Sequence, residues 1–305
     1  MRTTMMVAAG TPVHVGVDGP DDAPAIVLIH GFSGSLHWFH HLTGELATGH
    51  RVIRADLRGH GRTGGHTGLV PESQAATLDA LLDVLGVSGA IIVGHSFGAD
   101  VALALARRRS DVRAVSIIGQ APDYSYATLP PGGVVMTLPV LGPVLHRLSP
   151  PTAVRLGMRT GFAPGFRSDN AFDHPQRPVL DHRAMSPAMY RTVLTERRAR
   201  LAADPLDAQV HALGLPTLVL HGDRDQMYDV ARTTAATPPL ELTSRSSPDL
   251  GIPRMSSAPK RLFACSARSS PSTGDLRTQS EQRPELRSLV DPADYITPSR
   301  LTLAI

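Results

Sequence analysis

The sequence predicts a mostly parallel β-sheet with helices on both faces, interrupted by a helical insertion. Continuous apolar runs such as Ala25–Ile29 lack the alternation of a half-exposed strand. Parallel strands that are buried on both faces have this pattern. The runs alternate with helical segments, which is typical of α/β architecture. The alternation stops between about residues 124 and 210, and this break indicates an insertion above the sheet.

The individual elements follow from periodicity and from residues that end them. Residues 11–17 alternate like an exposed strand, and a Gly-Pro-Asp-Asp turn follows. Apolar runs predict buried strands at 25–29, 52–55, 90–93, 112–118 and 216–220. Helical spacing predicts helices at 74–85, which Gly86 ends, at 97–109, and at 187–203 inside the insertion.

These elements divide the chain into four parts. Residues 1–123 and 211–235 form the core, 124–210 form a helical cap, and 236–305 form an aberrant tail. The tail contains 12 serines and 9 prolines but only two aromatic residues, so it can bury little surface. It shows neither the strand nor the amphipathic helix expected after 216–220. We therefore expect the last strand and helix to be missing, with one sheet edge unpaired.

Charge and composition narrow the function classes. Residues 1–230 hold 20 basic and 20 acidic residues, so the net charge of +3 comes from the last quarter of the chain. The one basic run, Arg107 to Arg109, closes a helix, where cations are favoured, and it does not indicate nucleic-acid binding. No apolar run is long enough to span a membrane. The single cysteine, Cys265, excludes a disulfide within the chain and suggests a cytoplasmic location. The oligomeric state stays open.

A Gly-x-Ser-x-Gly motif at 94–98 predicts a nucleophilic serine. The motif follows a buried strand and opens a helix, as a nucleophile elbow requires. Such a turn would expose the Ser96 hydroxyl above the helix N-terminus. The alternative is a serine that only caps the helix.

Two loops at the ends of other strands carry the expected partners of Ser96. His30-Gly31-Phe32 follows the first buried strand, and the backbone N–H groups of Phe32 and Phe97 could bind an oxyanion. Gly31 could instead serve only a turn.

The acid is expected in the loop after the last predicted strand. Asp225 could orient a catalytic imidazole there. Asp223 is expected to hold the loop, and Asp123 is the alternative acid.

In these motifs the chain resembles the serine α/β-hydrolases. It has His-Gly at 30–31, Asp-x-x-Gly-His-Gly at 56–61, Gly-x-Ser-x-Gly at 94–98 and Gly-Asp-x-Asp at 222–225, in the family's order. The resemblance implies an α/β-hydrolase fold with a helical cap, and it covers residues 11–230. It implies Ser96 as nucleophile, Asp225 as acid, and Phe32 and Phe97 as oxyanion donors. The expected reaction requires no cofactor. His37 and His41 share a helix face but have no carboxylate at a matching spacing, so no metal site is expected.

The family's histidine, which follows the acid, is absent. All 14 histidines lie at or before His221, so nothing in the expected position takes the proton of Ser96. His30, Gly31 and His95 are expected near the pocket. However, His30 belongs to the oxyanion loop, and the side chain of His95 points away from that of its neighbour Ser96.

The genetic code offers an explanation for the absent histidine. If the reading frame is shifted by one base after about residue 237, the same DNA encodes a different tail. The codons of residues 242–269 then permit D-L-T-V-V-P-G-S-G-H-S-P-H-V-E-R-P-E-E-V-V-R-L-L-R-E-F. This reading contains a strand, a turn, a histidine and an amphipathic helix. A naturally divergent tail is the alternative.

The expected activity is hydrolysis of a small hydrophobic ester through an acyl-enzyme, nearly lost in this chain because the histidine is absent. Four cap methionines, at 136, 158, 185 and 189, would suit an apolar substrate. The alternatives are a ligand-binding remnant without catalysis, or C–C hydrolysis or perhydrolysis on the same fold.

Overall fold

The fold is built on one eight-stranded sheet. The computed structural model describes residues 2–121, 125, 127–128, 133–164, 171–222, 224–229, 231–233 and 263–265. The strands are β1 (Thr3–Ala8), β2 (Thr11–Asp18), β3 (Ala25–Ile29), β4 (Arg51–Ala55), β5 (Ile91–His95), β6 (Ala114–Ile118), β7 (Thr217–Leu220) and β8 (Phe263–Cys265). Their order across the sheet is β1-β2-β4-β3-β5-β6-β7-β8.

Among the described residues, helices follow β3, β4, β5 and β6 and fill the insertion. They are α1 (His40–Leu46), α2 (Pro71–Val84), α3 (Phe97–Arg108), α4 (Leu141–Leu148), α5 (Pro151–Arg159), α6 (Arg177–Ala184), α7 (Ala188–Arg191), α8 (Arg197–Ala203) and α9 (Leu206–Leu213). Short 3-10 helices form at Leu36–Phe39 and Gly133–Thr137. A π-helical turn at Thr192–Glu196 joins α7 to α8. Among the described residues, α4 to α9 all lie between β6 and β7, within the predicted insertion apart from the end of α9.

The five central strands, β4, β3, β5, β6 and β7, are parallel, as predicted. Successive side chains of β3 point to opposite faces. Val27 and Ile29 belong to the larger core cluster, which includes the buried side of α3. Ile26 and Leu28 belong to a smaller cluster together with Leu42 of α1. Since both faces of β3 are covered, its sequence is continuously apolar.

Strand order places the site at the carboxyl ends of the central strands. The chain passes from β3 to β4 on one side and then crosses to β5 on the other, so β3 and β5 flank a topological switch point. Ligands of open α/β sheets bind outside the carboxyl ends of the strands at such a point. The loops that begin at His30 and Ser96 both start there.

The structure differs from the predicted elements at both ends of the sheet. β1 was not predicted, because its side chains are mostly exposed and it is held by antiparallel pairing with β2. The last strand and helix, expected to be missing, are not among the described residues, and the tail contributes there only the three-residue β8, which pairs antiparallel with β7. This pairing corrects the expected unpaired edge. The rest of the tail lies outside the described residues.

Candidate active site

Ser96 occupies a strained turn between β5 and α3. Its backbone angles are φ 51° and ψ −118°, in a region that non-glycine residues rarely adopt. The Ser96 N–H donates to the Ile118 carbonyl at 2.9 Å, which ties the turn to β6. Strain of this kind persists where the surrounding structure enforces it, and it is concentrated at functional sites. A nucleophile elbow requires a sharp strand-to-helix turn at this position.

The two glycines of the motif permit this turn. A Cβ on Gly94 would lie 2.3 Å from the carbonyl oxygen of Gly98, and a Cβ on Gly98 would lie 2.3 Å from that of Ile29. Both obstacles are backbone atoms, which cannot move aside cheaply. Helix α3 therefore packs directly on the ends of β3 and β5, with Ser96 at its N-terminus.

The predicted oxyanion loop lies against Ser96. A Cβ on Gly31 would lie 3.1 Å from the Ser96 Cβ, so any larger residue would crowd the serine. Within the described residues, the N–H groups of Phe32 and Phe97 donate to no backbone carbonyl. The predicted donors Phe32 and Phe97 thus belong to segments that meet at Ser96.

His30, which was expected near the pocket, supports this loop. It is fully buried, its Nε2 accepts from the Leu57 N–H at 3.0 Å, and its Nδ1 lies 2.8 Å from the Gly31 carbonyl. Burial lowers the pKa of His30, so the ring stays neutral. His60 packs edge-on against it and accepts from the Ser33 N–H at 3.3 Å. Burial lowers the pKa of His60 to about 3.

Asp56 of the Asp-x-x-Gly-His-Gly motif anchors the same loop. Its carboxylate accepts from the Leu36 N–H and the Arg62 N–H, both at 2.9 Å, and lies 2.7 Å from His14 Nδ1. Burial favours the neutral acid, but the hydrogen bond from His14 and the neighbouring donors bring the pKa of Asp56 below its usual range. Gly61 has φ 49°, and a Cβ there would overlap the Asp56 carboxylate. The motif is therefore structural.

His95 lies next to Ser96 but is a poor general base. A Cβ on Gly119 would lie 3.3 Å from the His95 Nε2, and the ring centroid is 5.8 Å from that of Trp38. Burial lowers the pKa of His95 to about 4.

Asp225 lies in the loop after β7, as predicted. Its Oδ1 accepts from the N–H groups of Met227 at 2.7 Å and Tyr228 at 3.0 Å, so Asp225 itself holds the loop. Its Oδ2 lies 3.7 Å from Nε2 of His221. The alternative acids Asp123 and Asp223 lie outside the described residues.

The sequence did not indicate that the side chain of His221 is buried beside Asp225. Its side chain is 3% exposed, and neither ring nitrogen has a hydrogen-bond partner among the described residues. Burial lowers the pKa of His221, although Asp225 opposes this effect.

The sheet register relates the acid loop to the nucleophile. His95 pairs with Ile118, and Ile118 pairs with Leu220, so Ser96 and His221 begin their loops at the same level of the sheet. The two strand spacings between them amount to about 10 Å. A base that contacts both Ser96 and Asp225 must fill this gap.

A buried ionic network fixes the cap to the nucleophile helix. Arg197 of α8 donates from Nε at 2.8 Å and from Nη2 at 2.6 Å to the two carboxylate oxygens of Asp100 in α3. Its Nη2 also donates to Gln120 Oε1 at 2.7 Å, and the Tyr228 hydroxyl donates to that same oxygen at 2.7 Å. Helix α3, helix α8 and the loop that carries Asp225 and Tyr228 are therefore joined by one set of hydrogen bonds, which the sequence alone did not indicate.

A second contact joins the cap to the oxyanion loop. Asp181 of α6 accepts from the Ser35 hydroxyl at 3.0 Å and from Trp38 Nε1 at 2.8 Å. Burial raises the pKa of Asp181 to about 7, although Arg177 and the two hydrogen bonds oppose this. We call these three residues the cap latch.

Aromatic packing connects the cap to Phe32. The Tyr190 ring lies edge-on to the Phe32 ring, with centroids 5.2 Å apart. The Tyr190 hydroxyl lies 3.4 Å from His182 Nδ1 and 3.5 Å from His146 Nδ1. Burial lowers the pKa of His182 to about 4, so a neutral aromatic cluster faces the oxyanion loop.

The cap methionines that were expected to suit an apolar substrate largely fill the core. Met185 and Met189 are buried in the larger cluster, and Met136 packs against it. A Cβ on Gly59 would touch the side chain of Met189, which shows how closely this methionine fills its place.

Comparison with known proteins agrees with this geometry. The profile of the family described as serine aminopeptidase, S33 (Hydrolase_4) matches residues 21–243, more than half of the chain. The chain belongs to the S33 family. The matched range includes Phe32, Ser96, Phe97 and Asp225.

Relatives of this S33 chain carry several hydrolase names. It is 38% identical over 98 residues to the mouse (Mus musculus) sn-1-specific diacylglycerol lipase ABHD11, covering 32% of each chain. It is 39% identical over 106 residues to the bifunctional esterase/perhydrolase DCH of Acinetobacter calcoaceticus, covering 33% of this chain and 37% of the relative. The chain thus spans about a third of the length of these curated relatives.

Solved structures establish the fold of the S33 chain. A structure of the N-acyl homoserine lactonase AidH in complex with N-hexanoyl homoserine matches it with a TM-score of 0.60 and 18% identity. The match covers 75% of this chain and 81% of the lactonase. The S33 chain has the α/β-hydrolase fold, as its motifs implied.

The described part of the S33 chain contains neither a membrane-spanning helix nor a cluster of metal-binding side chains. No helix there is both long and apolar enough to cross a bilayer. No group of three or more His, Cys, Asp or Glu side chains there could hold a metal ion.

Proposed function

We propose that this hydrolase is built to cleave carboxylic esters of small hydrophobic molecules through Ser96. The observation that carries the proposal is the strained Ser96 turn with the Gly31 loop packed against it. Acyl transfer needs a nucleophile beside two oxyanion donors, and we propose the Phe32 and Phe97 amides for this role. The names of the lipase and esterase relatives support an ester substrate.

The reaction would proceed in two steps. The Ser96 oxygen attacks the carbonyl carbon, and the two amides stabilise the negative oxygen that forms. The serine proton must pass to a base and then to the leaving alcohol. Water repeats the sequence on the acyl-enzyme, which releases the acid and restores Ser96. Asp225 would orient the base through its Oδ2.

This chain is expected to perform the reaction very slowly, because it carries no histidine after His221. Loss of the base from such a triad lowers turnover on the order of a millionfold. The oxyanion hole and substrate binding alone can leave a rate on the order of a thousandfold above water.

The tail supports the proposal of a shifted reading frame after about residue 237. A histidine from the shifted frame would follow Asp225 by 26 or 27 residues. Resequencing codons 230–270 tests this directly. A frame-corrected chain is expected to hydrolyse p-nitrophenyl esters at ordinary enzyme rates, and its S96A variant is expected to be inactive. Corrected DNA without activity would refute the ester proposal.

The chain as it stands provides the complementary test. We expect only slow p-nitrophenyl ester hydrolysis, abolished in S96A. Fast hydrolysis would contradict the expected loss, and the variant H221Q would then show whether His221 replaces the absent base. H211Q is the matched control, because His211 is an exposed histidine of α9.

A ligand-binding remnant is the second candidate function, and the absent base favours it. Such a protein would bind an ester unchanged, with equal affinity in wild type and S96A. Perhydrolysis, suggested by the name of the Acinetobacter relative, and C–C hydrolysis use the same elbow. Product analysis on a substrate panel with the frame-corrected chain distinguishes them from ester hydrolysis.

A further inference from the structure

The cap exposes an unusual concentration of large apolar side chains. Nine valines and leucines between Val134 and Leu156 are exposed, among them Val140 at 77%, Leu148 at 72% and Leu156 at 65%. Elsewhere in the described residues, the exposed large apolar side chains are few and scattered: Met5, Val7, Val84 and Leu180. We call the nine side chains the cap apolar face. Concentrations of this kind mark interaction surfaces, whereas isolated exposed residues do not.

Helix α4 shows that this face is oriented toward solvent. Leu141, Val144, Leu145 and Leu148 follow the spacing of one helix face and are all exposed. A surface helix normally turns such a stripe toward the core. Here Gly142 and His146 face inward instead. The apolar stripe is therefore available to a partner.

The charges around the face identify the partner's chemistry. Between Asp123 and Asp169 the sequence has four arginines and no acidic residue, whereas the whole chain is nearly balanced, with 30 basic and 27 acidic residues. Arg147, Arg155 and Arg159 are exposed on α4 and α5. An apolar helix face bordered by arginines is typical of helices that lie in the interface of an anionic membrane. A second copy of the same face would oppose arginine to arginine, and the tail also carries an excess of basic residues.

We propose that the cap apolar face binds the surface of an anionic lipid bilayer. The leucines and valines of α4 enter the boundary of the acyl chains, while Arg147 and Arg155 pair with lipid phosphates. His146, on the inner side of α4, contacts Tyr190, which packs on Phe32. The bound cap would thus hold the Ser96 site close to the lipid. Binding itself requires no turnover, so it succeeds or fails separately from ester hydrolysis.

Vesicle sedimentation with the full chain tests the proposal. We expect binding to phosphatidylcholine vesicles that contain phosphatidylglycerol, and much weaker binding to phosphatidylcholine alone or in high salt. V140S/L148S is expected to lower the partition coefficient at least about tenfold. The control V7S/V84S replaces two valines outside the cap, which are 64% and 56% exposed, and it should bind like wild type.

A variant with fewer charges distinguishes recognition of anionic lipid from nonspecific hydrophobic adsorption. R147Q/R155Q removes two charges and is expected to weaken binding about thirtyfold. R107Q/R108Q, on α3 of the core, should leave binding unchanged. All four substituted pairs are at the surface, and circular dichroism checks that each variant is folded.

Three results would overturn the proposal. The first is equal binding to both kinds of vesicle, and the second is binding that V140S/L148S does not change. The third is a dimer in light scattering that V140S/L148S dissociates, without any vesicle binding, since the face would then join two copies of the chain.

Discussion

Replacing Asp100 tests how strongly the cap is fastened to the nucleophile helix. The side chains of Asp100 and Arg197 are each 3% exposed, and two short hydrogen bonds join them. In D100N the amide keeps one acceptor but removes the negative charge that compensates the buried guanidinium. Breaking a buried ion pair by changing one partner costs about 3–5 kcal/mol of unfolding free energy. Because the amide retains one hydrogen bond, we expect D100N to lie near the lower end of this range.

Urea denaturation followed by circular dichroism measures the effect. The matched control is D204N, because Asp204 also joins the cap to α3, through Arg107, at 2.9 Å. These two side chains are 47% and 41% exposed, and an exposed pair contributes about 0–1 kcal/mol. The slope of free energy against urea should stay unchanged in both variants if only the folded state is weakened.

The double variant D100L/R197M provides the opposite test. Removing both buried charges should restore much of the stability that D100N loses, because apolar side chains need no compensation. The reasoning is refuted if D100N and D204N lower the free energy of unfolding equally. It is also refuted if the double variant is less stable than D100N.

Three further predictions concern the site. G98A should lower stability by about 3 kcal/mol or more, since its Cβ meets the Ile29 carbonyl oxygen, whereas G157A, with open space around it in α5, should be neutral or slightly stabilising by urea denaturation. Folded Asp181 holds its proton up to about pH 7 while the unfolded chain loses it near 3.8, so its contribution to stability falls as pH rises through this window. D181N should then be more stable than wild type above pH 7. The fluorescence of Trp38, the single tryptophan, should show a transition near pH 7 in wild type that is absent in D181N. An identical transition in D181N would contradict the proposed role of the cap latch. The pKa of His60 is about 3 in the folded chain against 6.5 for a free histidine. Its contribution to the free energy of unfolding is therefore complete above pH 6.5 and is lost as pH falls toward 3. H60Q should lose less stability in acid than wild type does, and an unchanged dependence of stability on acid pH would contradict this.

The strand, turn and helix around Ser96 could be predicted from the sequence because their determinants are local. Gly94, Ser96 and Gly98 form one contiguous turn, and the neighbouring strands are continuous apolar runs. Their spacing alone specifies a strand, a sharp turn and a helix. The parallel centre of the sheet was predicted for the same reason.

The contacts that fasten the cap could not be predicted, because they join residues distant in sequence. Asp100 and Arg197 are 97 positions apart, and Trp38 and Asp181 are 143 apart. Each is an ordinary charged or aromatic residue on a helical pattern, and only the folded chain brings the partners together. β1 and β8 escaped prediction because pairing with a neighbouring strand, and not an apolar sequence pattern, defines them.

The edge of the sheet at β7 has a consequence for how the chain could be completed. Among the described residues, β7 and β8 pair over three residues each, and Thr217, Leu218 and Val219 are the partners from β7. So short an edge pairing can be exchanged for a longer strand, and an exposed strand edge accepts a strand from another molecule. A synthetic peptide that supplies the strand, the turn and the histidine of the shifted frame could therefore complement the chain in trans. Ester hydrolysis would then rise with peptide concentration and saturate, as binding of a second component requires.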